Sequence, residues 1–333
     1  MLGFRSKQTK ITHNEVDLHN SPLGCSVSDL AALRALGQNL PLKQFRRILA
    51  QRPGHHGSPF FGRGTDYESS RQYLPRDDVR AIDWRMSARR DELYVKVHRE
   101  ERERPILILL DQSSSMHFAT RGALKSVRAT QSAALLAWAA CAQSERFGCW
   151  CLGSDELKEA LPKTGEEALA NMFAQINFTA PEKTVFDSRQ AHYFDAAIHR
   201  LQQRAVFGSL VFILSDFYQL SDTVAQRFIQ LGQHSDVVLI LFYDEMEKSL
   251  PADEYCYLSD GNDFIAVDAH SAKNQQLYAE SMLTRLKALE YLKKQKGIMS
   301  FSMRTDESPL NVLADKLIQE ARDPNIEKFA SSA

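Results

Sequence analysis

Short apolar runs alternate with longer helical segments throughout the chain after Pro105, and this alternation constrains the fold more than any other feature. Residues 106–110 and 210–214 are apolar on both faces and too short for helices, which is typical of strands buried in a parallel sheet. Further strands are predicted at 146–152, 237–243 and 298–303, a hairpin at 255–258 and 264–267, and helices at 122–143, 166–176, 191–204, 221–233, 272–296 and near the C-terminus. The sequence therefore predicts an α/β fold with a doubly wound, mostly parallel sheet covered by helices on both faces.

Residues 1–104 differ in character from the rest of the chain. Their short runs are broken by Gly and Pro, with one helix predicted at 28–36 and one strand at 11–19. We therefore divide the chain into an N-terminal extension containing short strands (1–104), a sheet domain (105–321) and a C-terminal tail (322–333).

Composition and segment lengths predict a cytoplasmic protein without a transmembrane segment. The 333 residues include 41 Lys and Arg against 42 Asp and Glu, so the net charge is −1 and the whole chain is no polyanion binder. The N-terminus opens no apolar signal segment, and the longest apolar stretches fall far short of the roughly 20 residues that cross a bilayer. The five cysteines lack the spacing of metal ligands, which favours reduced thiols.

Polar residues follow two of the buried strands at the point where each strand ends. Asp111, Ser113 and Ser115 come directly after the first strand, and Asp216 follows the strand that ends at Leu214. Because open α/β sheets bind ligands outside the carboxyl ends of their strands, we expect these side chains to meet at the rim of the sheet. Carboxylate and hydroxyl oxygens are ligands that Mg²⁺ prefers. The same residue types also cap helices that follow strands, so spacing alone leaves both a metal site and a capping role open.

The element Asp111-x-Ser113-x-Ser115 resembles the D-x-S-x-S element of the metal-ion-dependent adhesion site (MIDAS) of von Willebrand factor A-type domains. Asp216, after Ser215, resembles the downstream aspartate of the same site. The resemblance implies a MIDAS-like Mg²⁺ site whose ligands are Asp111, Ser113, Ser115 and Asp216. It also implies one open coordination position, which an acidic side chain of a partner can fill.

Sites of this type usually include a third ligand element, a threonine in a loop before a helix. The comparable stretch of this chain contains Thr184 and Ser188, and the best-aligned position carries His192. The sequence departs from the usual pattern here, so two points stay open: whether the metal site is complete, and which of these three residues would complete it.

A longer ordered set of motifs resembles the DUF58 family. It comprises Gly-Arg-Gly-Thr-Asp-Tyr at 62–67, close matches at 77–84 and 87–90, and Glu-Glu-Arg at 100–102 leading into the Asp111 strand. Resemblance to this family implies a cytoplasmic von Willebrand factor A-like domain that acts with a MoxR-type AAA+ ATPase. We therefore expect a non-enzymatic protein-interaction module that works with this ATPase in the assembly or maturation of client proteins.

The segment 71–104 is rich in arginine but nearly balanced in charge. It holds ten Arg and Lys and eight Asp and Glu, which leaves +2. Counterion release from nucleic acid requires an uncompensated basic surface, so we expect no nucleic-acid partner and favour ion pairs within the fold or at a protein interface. Trp84, Leu93, Tyr94 and Val95 are predicted to anchor this segment on the sheet domain.

An enzymatic alternative is a metal-dependent phosphotransferase or hydrolase that uses Asp111 and Asp216, with Asp111 as the nucleophile. Sites of the haloacid-dehalogenase type place a second acid two residues after the nucleophile, and here that position is Ser113. The chain also contains no G-x-x-x-x-G-K-[ST] loop and no G-x-S-x-G elbow. These observations favour binding over catalysis.

Overall fold

The computed structural model describes residues 21–50, 61–62, 66–75, 78–90, 92–99, 104–154, 156–176, 190–250, 255–259 and 264–321. The predicted strand at 11–19, the tail at 322–333, and Thr184 and Ser188 lie outside these residues.

The strands and helices predicted after Pro105 are present close to their predicted positions, and several further elements were not predicted. The strands are β1 (Phe61–Gly62), β2 (Asp66–Gln72), β3 (Tyr94–Arg99), β4 (Ile106–Asp111), β5 (Phe147–Leu152), β6 (Leu157–Lys163), β7 (Leu210–Ser215), β8 (Asp236–Tyr243), β9 (Tyr255–Ser259), β10 (Phe264–Asp268) and β11 (Ile298–Arg304). The helices are α1 (Val27–Ala32), α2 (Arg34–Gly37), α3 (Leu42–Ala50), α4 (Trp84–Arg90), α5 (Lys125–Ala142), α6 (Gly165–Phe173), α7 (Gln190–Arg204), α8 (Asp222–Gly232), α9 (Ala272–Lys293) and α10 (Pro309–Ala321). Short 3₁₀ turns cover Val79–Ala81, Ser114–Met116 and Glu245–Glu247.

Six strands form one mostly parallel sheet in the order β11-β8-β7-β4-β5-β6, in which only the pairing of β5 with β6 is antiparallel. Side chains of β4 alternate between two cores: Ile108 packs with α5 and α10, whereas Leu107 and Leu109 pack with α7, α8 and α9. Both faces are therefore covered by helices, and the predicted α/β fold with a mostly parallel sheet is confirmed. β9 and β10 pair separately as the predicted antiparallel hairpin.

The first three helices share the core of the large sheet. Leu30 and Phe45 are buried to 0% and 1% exposure in the cluster that also contains α5. The Trp138 indole N–H in α5 donates to the Leu30 carbonyl at 2.8 Å, and the Phe45 ring lies 6.5 Å from that of Phe212 on β7. Helices α1 to α3 are thus packed as integral parts of one face of the sheet.

The DUF58-like segment forms a small antiparallel sheet in the order β1-β3-β2, and α4 lies between β2 and β3 in the chain. Val95 on β3 bridges Ile82, and both side chains are buried. Trp84 and Leu93 are 67% and 44% exposed, so the prediction that they anchor this segment is wrong. Ile82 and Val95 are the buried apolar residues of this segment. Trp84, the first residue of α4, is exposed to solvent.

None of the helices in the described part of the chain combines the length and apolar composition that a membrane span requires.

Candidate functional site

The central strands β4 and β7 bring the predicted site residues together. They are parallel neighbours, with Leu110 paired to Leu214, so Asp111 and Asp216 leave the sheet side by side at its carboxyl edge. The structure thus brings together all four predicted ligands, which we call the Asp111 cluster: Asp111, Ser113, Ser115 and Asp216. Asp111 and Asp216 are only 2% and 1% exposed, so both carboxylates are buried at this edge of the sheet.

Hydrogen bonds hold the Asp111 cluster in a defined arrangement. The Ser113 backbone N–H donates to Asp111 Oδ1 at 2.9 Å, and the Ser215 hydroxyl donates to Asp111 Oδ2 at 2.6 Å. The Ser115 hydroxyl donates to Asp216 Oδ1 at 3.2 Å and lies 3.4 Å from the Ser113 hydroxyl. The cluster therefore connects the loop after β4 to the loop after β7 through side-chain oxygens.

A buried lysine that the sequence analysis did not identify completes the site. Lys125, the first residue of α5, is 1% exposed, and its Nζ donates to Asp216 Oδ2 at 2.7 Å and to Glu247 Oε1 at 3.0 Å. Arg285 of α9 places Nη1 at 3.6 Å from Glu247 Oε1 and at 3.3 Å from the Asp216 carbonyl oxygen, to which it donates. We call Asp216, Lys125, Glu247 and Arg285 the buried charge chain.

The two aspartates of the site have opposite electrostatic environments. Burial, followed by the nearby Asp216 carboxylate, raises the pKa of Asp111 to about 6. Burial alone would also raise the pKa of Asp216, but the adjacent Lys125 ammonium outweighs it and lowers that pKa. For Lys125, burial opposes the charge, yet Asp216 and Glu247 outweigh it and raise the pKa. Asp216 and Lys125 are therefore a charged pair, whereas Asp111 accepts its hydrogen bonds from neutral donors.

Hydrogen bonds attach the loop between the Asp111 cluster and α5 to the residues that follow β8 and β11. Asp244, at the end of β8, accepts from the Thr120 backbone N–H at 2.8 Å and from the Thr120 hydroxyl at 2.6 Å. It also accepts from the Thr305 hydroxyl at 2.8 Å. This loop is thereby held between the ends of β8 and β11.

Of the third element, the structure describes only residues from Gln190 onward, and among these Gln190, and not the aligned His192, contacts the loop of the site. The Gln190 side-chain amide donates to the Ser114 hydroxyl at 2.6 Å, while its buried Oε1 has no partner within the described structure. His192 is exposed. Gln190 and His192 both lie in the first turn of α7, so they differ only in the direction in which the helix points their side chains. A sequence pattern does not define that direction well, because helix ends are uncertain by one or two residues.

Two exposed aromatic side chains flank the charged residues. Phe118, on the loop after the Asp111 cluster, is 39% exposed, and its ring lies 5.9 Å from Lys125 Nζ. Tyr218, two residues after Asp216, is 50% exposed, and Arg285 lies 5.7 Å from its ring. Each aromatic ring thus lies beside one cation of the buried charge chain and remains partly exposed.

The donor chemistry of the Asp111 cluster suits a hard divalent cation such as Mg²⁺. It offers two carboxylates and two hydroxyls, which are the oxygen ligands that this ion takes together with water. Over the described ranges, no group of three or more His, Cys, Asp or Glu side chains is arranged to hold a metal ion. A metal at this site would therefore depend on the serine hydroxyls as well as on Asp111 and Asp216.

The fold and site define an α/β protein with a charged cluster at the carboxyl edge of its central strands, and comparison with known proteins adds the family. Residues 69–285 match the family model described as "Protein of unknown function DUF58". The chain belongs to the DUF58 family, as its motifs predict.

Relatives and solved structures give more limited information. Uncharacterized proteins of Mycobacterium bovis and Mycobacterium tuberculosis are 29% identical over 146 residues, which cover 44% of this chain and 45% of each relative. The match therefore spans less than half of each relative's length. The crystal structure of conserved hypothetical protein BatB from Bacteroides thetaiotaomicron covers 66% of this chain and 100% of that chain, with 14% identity. Its TM-score of 0.35 is too low to support conclusions about function.

Proposed function

We propose that this protein is a non-enzymatic, cytoplasmic protein-interaction module with a von Willebrand factor A-like fold. Its binding face is the carboxyl edge of the sheet, where the Asp111 cluster lies between Phe118 and Tyr218. The proposed partner is a MoxR-type AAA+ ATPase, with which the module acts in assembly or maturation of client proteins. The partner rests on the DUF58 resemblance, and the face rests on the geometry of the site.

A single observation carries the proposed binding face: exposed aromatic rings lie beside buried, internally hydrogen-bonded charges. Aromatic residues are enriched at protein interfaces, where they supply most of the binding energy when water is excluded around them. Phe118 and Tyr218 are 39% and 50% exposed, and both are held in place by contact with Lys125 or Arg285. A partner that covers these rings would shield the buried charge chain from solvent.

We propose that Mg²⁺ binds the Asp111 cluster through Asp111, Ser113, Ser115 and Asp216. A bound Mg²⁺ would supply an open coordination position for an acidic side chain of the partner. In its absence no cation separates the Asp111 carboxylate from that acidic group, and like charges about 4 Å apart cost on the order of 1 kcal/mol even in bulk water.

Calorimetry with the MoxR-type ATPase of the same host tests this function. We expect Asp111→Asn to weaken association about tenfold or more, equivalent to about 1.4 kcal/mol, and chelation of Mg²⁺ to do the same to the wild type. The ATPase is kept nucleotide-free in every titration, so that the metal requirement belongs to this protein. Asp315→Asn is the matched control, because Asp315 is exposed on α10, remote in sequence from the cluster.

Equal affinity of wild type and Asp111→Asn, with and without Mg²⁺, would show that the ATPase docks on another surface. Urea denaturation of Asp111→Asn is measured in parallel. This control distinguishes loss of a binding contact from loss of the folded structure. We expect the variant to fold, because the asparagine side chain keeps an oxygen that can accept a hydrogen bond from the Ser113 N–H.

The second candidate function, a metal-dependent phosphotransferase or hydrolase using Asp111 and Asp216, is favoured by one observation. Lys125 places an ammonium beside the Asp216 carboxylate, and such cations stabilise transferring phosphoryl groups. Against it, the position two residues after the proposed nucleophile carries Ser113, whose hydroxyl cannot serve as the general acid. Hydrolysis of p-nitrophenyl phosphate with Mg²⁺, lost in Asp111→Asn, would favour this enzyme over the binding module.

A further inference from the structure

We propose that Lys125 is a resident counter-ion of Asp216 that keeps the Asp111 cluster assembled without a metal and competes with Mg²⁺ for the Asp216 carboxylate. The inference rests on the Mg²⁺ site proposed above and deepens it by assigning what sets its affinity. The metal would then be an exchangeable ligand and not a structural component of the fold.

The position of Lys125 is not explained by the helix that carries it. A cation at the first residue of an α-helix is unfavourable, because the amino terminus already bears a partial positive charge. Fifteen residues of α5 are buried, and their remaining side chains are mostly small or apolar. The carboxylates of Asp216 and Glu247, at 2.7 and 3.0 Å, compensate the buried ammonium. The two carboxylates of the site, and not the helix, therefore account for a lysine at this position.

The buried charge chain is neutral as it stands. Asp216 and Glu247 contribute two negative charges, and Lys125 and Arg285 contribute two positive ones. A divalent cation on Asp216 Oδ1 would lie within a few ångströms of the ammonium on Asp216 Oδ2. Since neither charge is screened by solvent there, the ammonium opposes metal binding.

Glu247 gives Lys125 an alternative partner when a metal occupies Asp216. Lys125 Nζ already contacts Glu247 Oε1, and Arg285 Nη1 lies 3.6 Å from the same oxygen. Lys125 can thus release Asp216 and keep one carboxylate, which makes displacement possible without leaving a bare ammonium in the core. The metal-free and metal-bound states then differ in which cation neutralises Asp216.

Titration with Mn²⁺, which takes the same oxygen ligands as Mg²⁺ and is visible by electron paramagnetic resonance, tests this competition. We expect Lys125→Met to bind Mn²⁺ at least tenfold more tightly than the wild type, with Mg²⁺ displacing it. Arg121→Met removes the same charge from an exposed position on the loop before α5 and should match the wild type. Adding Asp111→Asn to Lys125→Met should abolish the gain, which would locate the ion at the Asp111 cluster.

Equal Mn²⁺ affinity in wild type and Lys125→Met would overturn the competition while leaving the metal site in place. Absence of Mn²⁺ binding in both proteins would overturn the competition together with the metal site. Lys125→Gln, which keeps a hydrogen-bond donor but no charge, provides the second variant if Lys125→Met folds poorly. Mg²⁺ should raise the melting temperature of either variant more than that of the wild type, and an equal rise would contradict the inference.

Discussion

Lys125 and Asp216 depend on one another because neither charge reaches solvent. Both side chains are 1% exposed, and their contact of 2.7 Å joins residues 91 positions apart. Desolvating two ions consumes much of the attraction between them, so such a pair adds little stability over an apolar pair. Breaking it is costly, however, because the remaining charge stays buried without its partner.

We expect Lys125→Met to lower the free energy of unfolding by about 3–5 kcal/mol, because it leaves the Asp216 carboxylate buried without its ammonium. Asp216→Asn should cost less, because Lys125 keeps the Glu247 carboxylate at 3.0 Å. The double variant should lose less than the sum of the two, with a coupling energy of about 1–3 kcal/mol. Urea denaturation of the four proteins measures the cycle. Strictly additive losses would show that the two groups act independently.

The partly exposed pair Arg227–Asp195 provides the control for this cycle. Its contact is also 2.7 Å, but its side chains are 25% and 27% exposed. Water screens the pair and solvates whichever charge remains, so Arg227→Met should cost about 1 kcal/mol or less. The contrast isolates the effect of burial from that of distance.

At the residue scale, the sequence located Asp111 and Asp216 but neither Glu247 nor the cations of the site. Asp111 and Asp216 follow buried strands, and the carboxyl-edge rule for open sheets places them together. Lys125 carries a different signal: it begins a long helix of mostly small and apolar residues in which Arg128 is the only other charged residue. The pairing of Lys125 with Glu247 spans 122 residues and follows from no local pattern.

At the scale of elements, the loop that joins the Asp111 cluster to α5 requires glycine at one position. Gly122 has a φ of +73°, and a Cβ there would lie 2.2 Å from the Thr305 carbonyl oxygen. The close approach allows the Ala123 N–H to donate to that carbonyl at 3.2 Å. The loop is thereby seated against the end of β11.

We expect Gly122→Ala to destabilise the fold by about 1–3 kcal/mol more than Gly165→Ala. Both glycines have a positive φ, so both variants carry a backbone penalty of about 1–2 kcal/mol. Gly165 has nothing within 4 Å of the added carbon, whereas Gly122 meets a backbone oxygen that cannot move freely. Thermal or urea denaturation measures both, and equal losses would contradict the close packing of this loop.

Most elements of the sheet could be predicted because their apolar runs are unambiguous. β4, β7 and β8 are buried along their whole lengths, which produces continuous runs of Leu, Ile, Val and Phe. β6 was missed because this antiparallel edge strand mixes Leu157, Glu159 and Pro162 and is buried only at Ala160. An edge strand exposed on one side lacks the apolar run that marks a central strand.

At the scale of the whole molecule, the sequence did not reveal that α1 to α3 share the core of the sheet domain. Phe45 is 1% exposed and lies against Phe212 of β7, although 167 positions separate them in the sequence, 212 minus 45. Amphipathic spacing predicts that a helix will be buried on one face but not which surface it will cover. Only the tertiary structure shows that these helices cover one face of the large sheet.

We expect Phe45→Ala to lower the free energy of unfolding by about 3–5 kcal/mol, as for a residue in the centre of a single core. Phe118→Ala removes the same side-chain volume from a partly exposed position and should cost about 1 kcal/mol or less. Denaturant unfolding with a tryptophan signal compares them in one cooperative transition. A small loss for Phe45→Ala would indicate that α3 is only loosely attached to the sheet.

The buried charge chain restricts how this protein can change through successive single mutations. Asp216, Lys125, Glu247 and Arg285 are supplied by the ends of β7 and β8 and by α5 and α9, so four distant stretches of sequence share one electrostatic balance. Loss of one of these charges destabilises the protein, and loss of an opposite charge in the same chain compensates part of that cost. The two mutations therefore show positive epistasis for stability. A lineage could therefore exchange this chain for an apolar core only by passing through a destabilised intermediate or by changing two positions at once.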